Sequence, residues 1–216
     1  MNSSFFDRQL LHILFPVSYP PNLDLGKPET LGLYATRHFY IKYDDTEENV
    51  GTVKLGVWHC LPTHIAKRFA KQLHVSDDTV KNITTDKLYN NTRYNSMVDE
   101  TSYNLIENEI GQNYDESDPM QKQLLFEEIL RKTKDPIVLY LHGNTGSRGN
   151  GHRVELYKIL RRLGYHVIAV DYRGYADSSD IPPTEVGAVN DALMTYKYIK
   201  NLTTNAVFVY GHSLGK

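Results

Sequence analysis

The sequence predicts an α/β protein whose mostly parallel sheet carries helices on both faces and is truncated after its last predicted strand. Three short apolar segments, PIVLYL, YHVIAVD and AVFVY, follow one another in residues 135–216. The first two are typical of strands that are buried on both faces, and the third predicts another strand. Two amphipathic segments separate them, and this strand–helix–strand–helix–strand order favours parallel strands joined by right-handed crossovers.

The two segments between the strands have the spacing of surface helices. HRVELYKILRRLG ends at Gly164, and TEVGAVNDALMTYKYIKN begins with Thr184, a residue type that caps helix N-termini. Loops leave the carboxyl ends of the strands at residues 142–151, 171–183 and 211–216. Ligands of such sheets bind beyond these ends, so we expect the three loops to converge on one site.

The chain upstream of this core divides into three parts. Residues 1–37 are proline-rich and predict an N-terminal connector. Residues 38–60 predict two strands, because HFYIKYD and TVKLGVWHC alternate apolar and polar side chains around a turn. Residues 61–134 predict an insertion at the surface, with helical spacing at its two ends, and this insertion is either a lid over a substrate entrance or a decoration. We interpret residues 38–216, which include the core at residues 135–216, as a partial domain.

Composition excludes several classes of function. The formal charge of the 216 residues is −2 and no run of lysine and arginine occurs, so nucleic acid is not an expected partner. Cys60 is the only cysteine, which excludes an internal disulfide and a cysteine-rich zinc site.

The opening segment FFDRQLLHILFPV is apolar, but polar residues interrupt it, so it predicts neither a membrane-spanning helix nor a signal peptide. It could form one face of a short helix that packs on the domain or touches a membrane surface. Four N-x-Ser/Thr sequons, at Asn2, Asn82, Asn90 and Asn201, would accept glycans in a secretory compartment.

A serine between two glycines follows the last predicted strand. In GHSLG, Gly211 and Gly215 permit a tight turn that pushes Ser213 out at the carboxyl end of the sheet. His212 and Leu214 flank the serine. The preceding strand favours a nucleophile for acyl transfer over a Gly-Ser turn without chemistry.

Acyl transfer also needs two backbone N–H groups that point at the oxygen on which charge develops. Leu214, directly after the serine, supplies one. The loop LHGNTGSRGNG after the first parallel strand supplies the other, because His142 and Gly143 make a sharp turn before the Asn144 N–H. A phosphate-cradling loop is the alternative. This segment lacks the Gly-Lys-Ser/Thr and Gly-x-Gly-x-x-Gly patterns, so we expect neither a cofactor nor a metal.

The motifs LHGN, DYRGYADS and GHSLG, in this order and spacing, resemble those of the α/β-hydrolases. The longer segment from LHGNTG to YADSS, with GVWH upstream, is similar to the lysophosphatidylserine lipase group of that family. The resemblance is dense over residues 136–215. It implies a serine hydrolase of lipid esters, such as lysophospholipids or monoacylglycerols, in a parent protein of the endoplasmic-reticulum membrane whose catalytic domain is lumenal.

The resemblance also implies the role of each site residue. Ser213 is the nucleophile, and the backbone N–H groups of Asn144 and Leu214 bind the oxyanion. His142 shapes the oxyanion loop, and Asp171 anchors the turn after its strand.

Two positions depart from the family's pattern. Ala176 stands where the motif has a glycine, which predicts a tighter turn. Lys216 stands where a small residue begins the helix behind the nucleophile.

Hydrolases of this type carry their triad in the order serine, carboxylate, histidine. All nine histidines precede Ser213, so we expect these residues to lack the acid and the base of the triad and to be inactive alone. We also expect the apolar strand AVFVY to lie at an open sheet edge, which would make the isolated chain oligomeric or insoluble.

Three interpretations of function stay open at this point. The first is a serine hydrolase of lipid esters. The second is another acyl hydrolase of the same fold, such as a thioesterase or a peptidase. The third is a protein that only binds a partner.

Overall fold

The structure is a computed structural model that describes residues 23–85, 100–110, 114–115 and 117–215. Its strands are β1 (Thr36–Asp45), β2 (Gly51–Cys60), β3 (Ile137–Leu141), β4 (His166–Val170) and β5 (Val207–Gly211). Its α-helices are α1 (Thr63–Arg68), α2 (Asp77–Thr85), α3 (Glu100–Ile110), α4 (Pro119–Lys132), α5 (Gly151–Arg162) and α6 (Glu185–Leu202).

The five described strands form one sheet in the order β1-β2-β4-β3-β5. β3 lies between β4 and β5 and is parallel to both, while β2 is antiparallel to β1 and to β4. The predicted α/β class, with a parallel core and an N-terminal pair of strands, is confirmed. Within the described residues β5 pairs only with β3, so its other side is an edge of the sheet.

Helices cover both faces of this sheet. On one face, Leu139 of β3 shares a buried core with Leu130 of α4 and Ile199 of α6. On the other face, Trp58 of β2 and Tyr157 of α5 share a second core. The crossovers β3–α5–β4 and β4–α6–β5 therefore place their helices on opposite faces.

Both predicted boundary residues of the crossover helices are confirmed. The Thr184 hydroxyl accepts a hydrogen bond of 2.9 Å from Gly187 N and so caps the first turn of α6. Gly164 follows α5 with a φ of +87°, a conformation that favours glycine and ends the helix.

Residues 61–134 are more structured than the sequence indicated. The helices α2 and α3 fall in a polar stretch whose periodicity is weak, and side chains from α1, α3 and α4 share a third buried core, which includes Ile65, Ile106 and Phe126. His64 of α1 lies 3.0 Å from Asp135, the residue two positions before β3. This region contacts the end of the sheet where the parallel strands begin, so these contacts give no support to a lid at the carboxyl ends.

The connector packs on the domain from Leu23 onward. Trp58 Nε1 donates a hydrogen bond of 2.8 Å to the carbonyl oxygen of Leu25. The opening apolar segment, Asn2, Asn90 and Lys216 lie outside the described residues. Among the described helices, none combines the length and the apolar character needed to span a membrane.

Candidate active site

Ser213 occupies a strained turn at the carboxyl end of β5. Its φ is +53°, in the left-handed region that a serine seldom adopts. His212 N donates a hydrogen bond of 3.0 Å to Leu141 O at the end of β3. Gly215 passes so close to β3 that a β carbon there would lie 2.5 Å from Leu141 O. The turn therefore needs glycine at 215 and holds Ser213 at the top of the sheet, as a nucleophile elbow requires.

The loop after β3 packs directly on this turn. A β carbon on Gly143 would lie 3.2 Å from Ser213 Cβ and 3.2 Å from His212 O. Glycine at 143 therefore lets the backbone of the loop approach the serine.

Arg153, in the first turn of α5, fixes the direction of the peptide groups in this loop. Its guanidinium donates to the carbonyl oxygens of Gly143 at 3.5 Å, Thr145 at 2.6 Å and Ser147 at 2.6 Å. The C=O and N–H of a trans peptide point in opposite directions. Because the Gly143 carbonyl points to Arg153, the Asn144 N–H points away from it, and it has no acceptor among the described residues.

The loop after β4 completes the convergence of the three loops. The Tyr175 hydroxyl lies 2.8 Å from Asn144 Oδ1 and 3.2 Å from Asn144 O. The Asn144 side chain is thereby held on the side of Tyr175. All three carboxyl-end loops meet at Ser213, Asn144 and Tyr175, as expected for a site at this edge of the sheet.

His142 is buried, and both of its ring nitrogens face residues of the loops. Nδ1 lies 2.6 Å from Gly143 O, and since a carbonyl only accepts, Nδ1 is the donor. Nε2 faces Asp171 Oδ1 at 3.2 Å without making a hydrogen bond. With Nδ1 bonded to Gly143 O and Nε2 turned to Asp171, His142 is not oriented towards the Ser213 hydroxyl.

Asp171 is the buried anchor of the turn after β4. It accepts hydrogen bonds from Arg148 N at 2.6 Å and from Arg148 Nη1 at 2.5 Å. Burial alone would raise the pKa of the Asp171 carboxyl, but the charge of Arg148 and the contact with His142 lower it below its usual range. Asp171 is therefore an anion that ties the loop after β3 to the loop after β4.

Two exposed histidines lie beside the serine turn. The rings of His152 and His212 have centroids 6.2 Å apart. Burial, followed by the charges of Arg153 and His212, lowers the pKa of His152. Among the described residues, none donates to or accepts from the Ser213 hydroxyl, and no group of three or more His, Cys, Asp or Glu could hold a metal ion.

A comparison with family models matches residues 136–215 to the alpha/beta hydrolase fold. This segment runs from the first parallel strand to the end of the serine turn. This part of the chain belongs to the α/β-hydrolase family.

Two of the similar curated proteins carry the name of a lipase. Over 200 residues, 92% of this chain, it is 33% identical to lysophosphatidylserine lipase ABHD12 of Xenopus tropicalis and 34% identical to that of Gallus gallus. It is also 39% identical over 99 residues, 45% of the chain, to protein ABHD12B of Homo sapiens, and these residues are 27% of that protein. The match covers 37% and 38% of the two lipases, so the chain spans little more than a third of their length. No solved structure matches.

Sequence patterns did not reveal the residues that hold this α/β-hydrolase site in place. Arg153 looks like any charged residue at the start of an amphipathic helix, yet 1% of its surface is exposed. Arg148 and Tyr175 were likewise not singled out. The only signal was their place in or next to loops that leave the carboxyl ends of parallel strands.

Proposed function

We propose that this α/β-hydrolase domain supplies the nucleophile and the oxyanion hole of a serine hydrolase of lipid esters. Ser213 Oγ attacks the acyl carbonyl, the alcohol leaves with a proton, and water then cleaves the acyl-enzyme. The observation that carries the proposal is the left-handed Ser213, which directly follows β5 and packs against the loop at Gly143.

The oxyanion hole consists of the backbone N–H groups of Asn144 and Leu214 in this proposal. Arg153 and Tyr175 support it, because they hold the carbonyls and the side chain of the loop and leave the Asn144 N–H without an acceptor among the described residues. Pre-oriented donors of this kind stabilise the charge that develops on the carbonyl oxygen. Gly211 and Gly215 allow the tight turn that carries Ser213. His142 and Gly143 shape the loop that carries Asn144.

The proposal that the substrate is a lipid ester rests on two relatives that are named lysophosphatidylserine lipases. The exposed Leu214, with 40% of its surface accessible beside the serine, gives the site an apolar border. A lysophospholipid or a monoacylglycerol would present its acyl ester to Ser213 there.

We further propose that these 216 residues do not complete the catalytic machinery by themselves. A serine hydroxyl is a weak nucleophile unless a base accepts its proton. Within the described residues the buried His142 donates to Gly143 O and faces Asp171, and no histidine is hydrogen-bonded to Ser213. The general base and its carboxylate partner are then supplied from outside the described residues.

Two proteins test both proposals. One is residues 1–216, and the other, called the extended protein below, is the same residues joined to the C-terminal region of a lysophosphatidylserine lipase relative. We expect the extended protein to release fatty acid from lysophosphatidylserine or monoacylglycerol, and Ser213→Ala to abolish that release. Residues 1–216 should release none above their own Ser213→Ala control. Turnover by residues 1–216 that depends on Ser213 would show that an upstream histidine serves as the base, with His142 and His212 to be replaced first.

The proposed compartment is the lumen of the endoplasmic reticulum, in a parent protein that associates with the membrane. Of the four sequons, Asn82 and Asn201 lie at exposed helical positions. N-glycosidase treatment of the protein from cells should increase its gel mobility, and Asn201→Gln should remove part of that shift. An unchanged mobility would contradict the lumenal location.

A further inference from the structure

Arg161 is a buried cation without a carboxylate partner among the described residues. It lies in the last turn of α5, and 2% of its surface is exposed. Nε donates a hydrogen bond of 2.6 Å to Leu61 O, and the guanidinium carbon lies 4.4 Å from the centroid of the Tyr34 ring. Nη2 is buried and meets no acceptor in the described part of the chain. An arginine stays charged even when buried, so this charge has to be compensated.

The other buried arginines show two ways in which this protein compensates such a charge: Arg153 donates to three carbonyl oxygens, and others meet a carboxylate. Arg148 donates to Asp171 at 2.5 Å, and Arg173 lies 3.0 Å from Asp191. The negative end of the α5 dipole favours a cation near the last turn, but it does not explain why Arg161 is buried there. Arg161 is thus as buried as Arg148 and Arg173, but it has no carboxylate partner among the described residues.

A cavity of about 420 Å³ adjoins Arg161. Two further cationic residues, Lys158 and Arg162, line it, together with Thr63 and Thr79. The one carboxylate on its described wall, Glu155, is bound to Lys158 at 2.8 Å. Arg161 and Lys158 therefore face the same space, with one carboxylate and several neutral donors on the described wall.

The cavity is separate from the serine site. α5 begins at Gly151, next to the oxyanion loop, and Arg161 lies ten residues further along. At 1.5 Å per residue this is roughly 15 Å along the helix axis. The cavity thus lies towards the end of the sheet where the parallel strands begin.

We propose that this cavity binds a small molecule that carries a phosphate group, with the phosphate between Arg161 and Lys158. A guanidinium and an ammonium both donate to phosphate oxygens, and a hydroxyl such as that of Thr63 adds a neutral donor. The volume is in the range of small-molecule sites and exceeds what a bare phosphate ion fills. A phosphate monoester of a small alcohol fits this description, and inorganic phosphate shares its recognition chemistry.

Calorimetric titration and thermal unfolding of residues 1–216 test the proposal without reference to hydrolysis. The probes are glycerol phosphate, inorganic phosphate and succinate, at matched ionic strength. We expect glycerol phosphate to bind and to raise the unfolding temperature. Inorganic phosphate should bind more weakly, and succinate should not bind. Equal binding of the two phosphates would still support the site and assign it to the phosphate group alone.

Two variants and one control decide whether the binding belongs to this cavity. Lys158→Gln and Arg161→Gln should each weaken binding about tenfold or more, as loss of a charge-assisted contact predicts. Lys197→Gln, at an exposed position of α6, should leave binding unchanged. Since Arg161 also holds Leu61 O, its variant could fail to fold, and Lys158→Gln then carries the test. No binding of either phosphate, equal binding of succinate, or equal losses in Lys158→Gln and Lys197→Gln would overturn the proposal.

Discussion

Gly143 and Ser213 lie so close together that a β carbon on the glycine would be 3.2 Å from Ser213 Cβ. The same β carbon would lie 2.9 Å from the ring of His212 and 3.2 Å from its carbonyl oxygen. Because the carbonyl oxygen belongs to the backbone of the turn, a side chain at 143 must push the oxyanion loop and the serine turn apart.

Gly143→Ala should therefore reduce catalysis in the extended protein. Displacing one oxyanion donor costs about 100-fold or more in kcat, and here we expect a loss of about 10- to 100-fold with little change in KM. Gly151→Ala is the matched control, since a β carbon there meets no atom within 4 Å. A kcat of Gly143→Ala within twofold or so of that control would show that the loop does not position the oxyanion hole.

Arg153→Lys tests the second support of the same loop. Lysine keeps the charge, but it cannot donate to the carbonyls of Gly143, Thr145 and Ser147 at once as the planar guanidinium does. We expect kcat of the extended protein to fall about tenfold, with a smaller change in KM. Arg131→Lys, at a surface ion pair of α4, should leave kcat unchanged. Equal kcat values in the two variants would assign Arg153 to stability alone.

The sequence was most informative where one pattern determines both structure and site. The apolar runs of β3 and β4 have every side chain buried in a parallel core, so they are recognisable without a partner. The run of β5 predicts a strand by the same pattern, although its central side chains are exposed, and GHSLG marks the turn that follows. The four buried arginines of the two loops and α5 were not recognisable, because burial of a charge depends on groups distant in sequence, such as Asp171 for Arg148. The helices α2 and α3 were missed because their short apolar stripes pack on α1 and α4 rather than on the sheet.

The left-handed backbone at Ala176 is a feature that the sequence indicated only through its resemblance to a family motif. The residue has a φ of +49°, a left-handed conformation in which a glycine would be unstrained. Glycine is the residue that the family resemblance led us to expect at this position, and the backbone here adopts a conformation that favours glycine. Here the strain is stored in the loop after β4, close to Tyr175 and the oxyanion loop.

Asp171→Asn should destabilise the protein much more than Asp177→Asn. Arg148 bridges the two carboxylates, but the Asp171 side chain is fully buried whereas 25% of the Asp177 side chain is exposed. Removing one partner of a buried ion pair costs about 3–5 kcal/mol, and a partly exposed pair contributes about 1 kcal/mol. Urea denaturation of the two variants measures the difference in the free energy of unfolding. Equal losses would contradict the role of Asp171 as the buried anchor.

The edge of β5 should cause residues 1–216 to associate. Phe208, Val209 and Tyr210 are each about half exposed, at 55%, 56% and 47%, on a strand whose outer side has no strand partner among the described residues. Such an apolar edge pairs readily with another chain, and a lysine on it opposes pairing. We expect Val209→Lys to shift the protein towards monomer in size exclusion with light scattering.

Val189→Lys is the control for that experiment. Val189 is 61% exposed on α6, so its replacement removes apolar surface without changing the strand edge. If Val189→Lys restores the monomer as well as Val209→Lys does, general apolar surface rather than strand pairing drives association. A wild-type chain that is already monomeric would contradict the prediction outright.

The buried pair His59 and His166 should make stability fall as the pH is lowered below neutrality. His59 Nε2 and His166 Nδ1 lie 3.0 Å apart, so one must donate and the other accept, and a proton on both facing nitrogens would break the contact. Burial lowers the pKa of His166 to about 4; the charge of Asp135 partly opposes this, and that of His64 adds to it. Burial likewise lowers the pKa of His59.

The sign of the effect follows from the protons that each state binds. Between pH 6.5, the ordinary pKa of histidine, and pH 4, the unfolded chain carries a proton on His166 that the folded protein does not, so acid favours unfolding. For His166 alone the difference amounts to about 3 kcal/mol between pH 7 and pH 4. Urea denaturation at constant ionic strength from pH 7 to pH 5 should show a falling free energy of unfolding. His166→Gln should flatten that slope whatever its effect at pH 7, while His74→Asn, at an exposed position with a φ of +45°, should keep it. Parallel slopes in the two variants would place the acid sensitivity elsewhere in the protein.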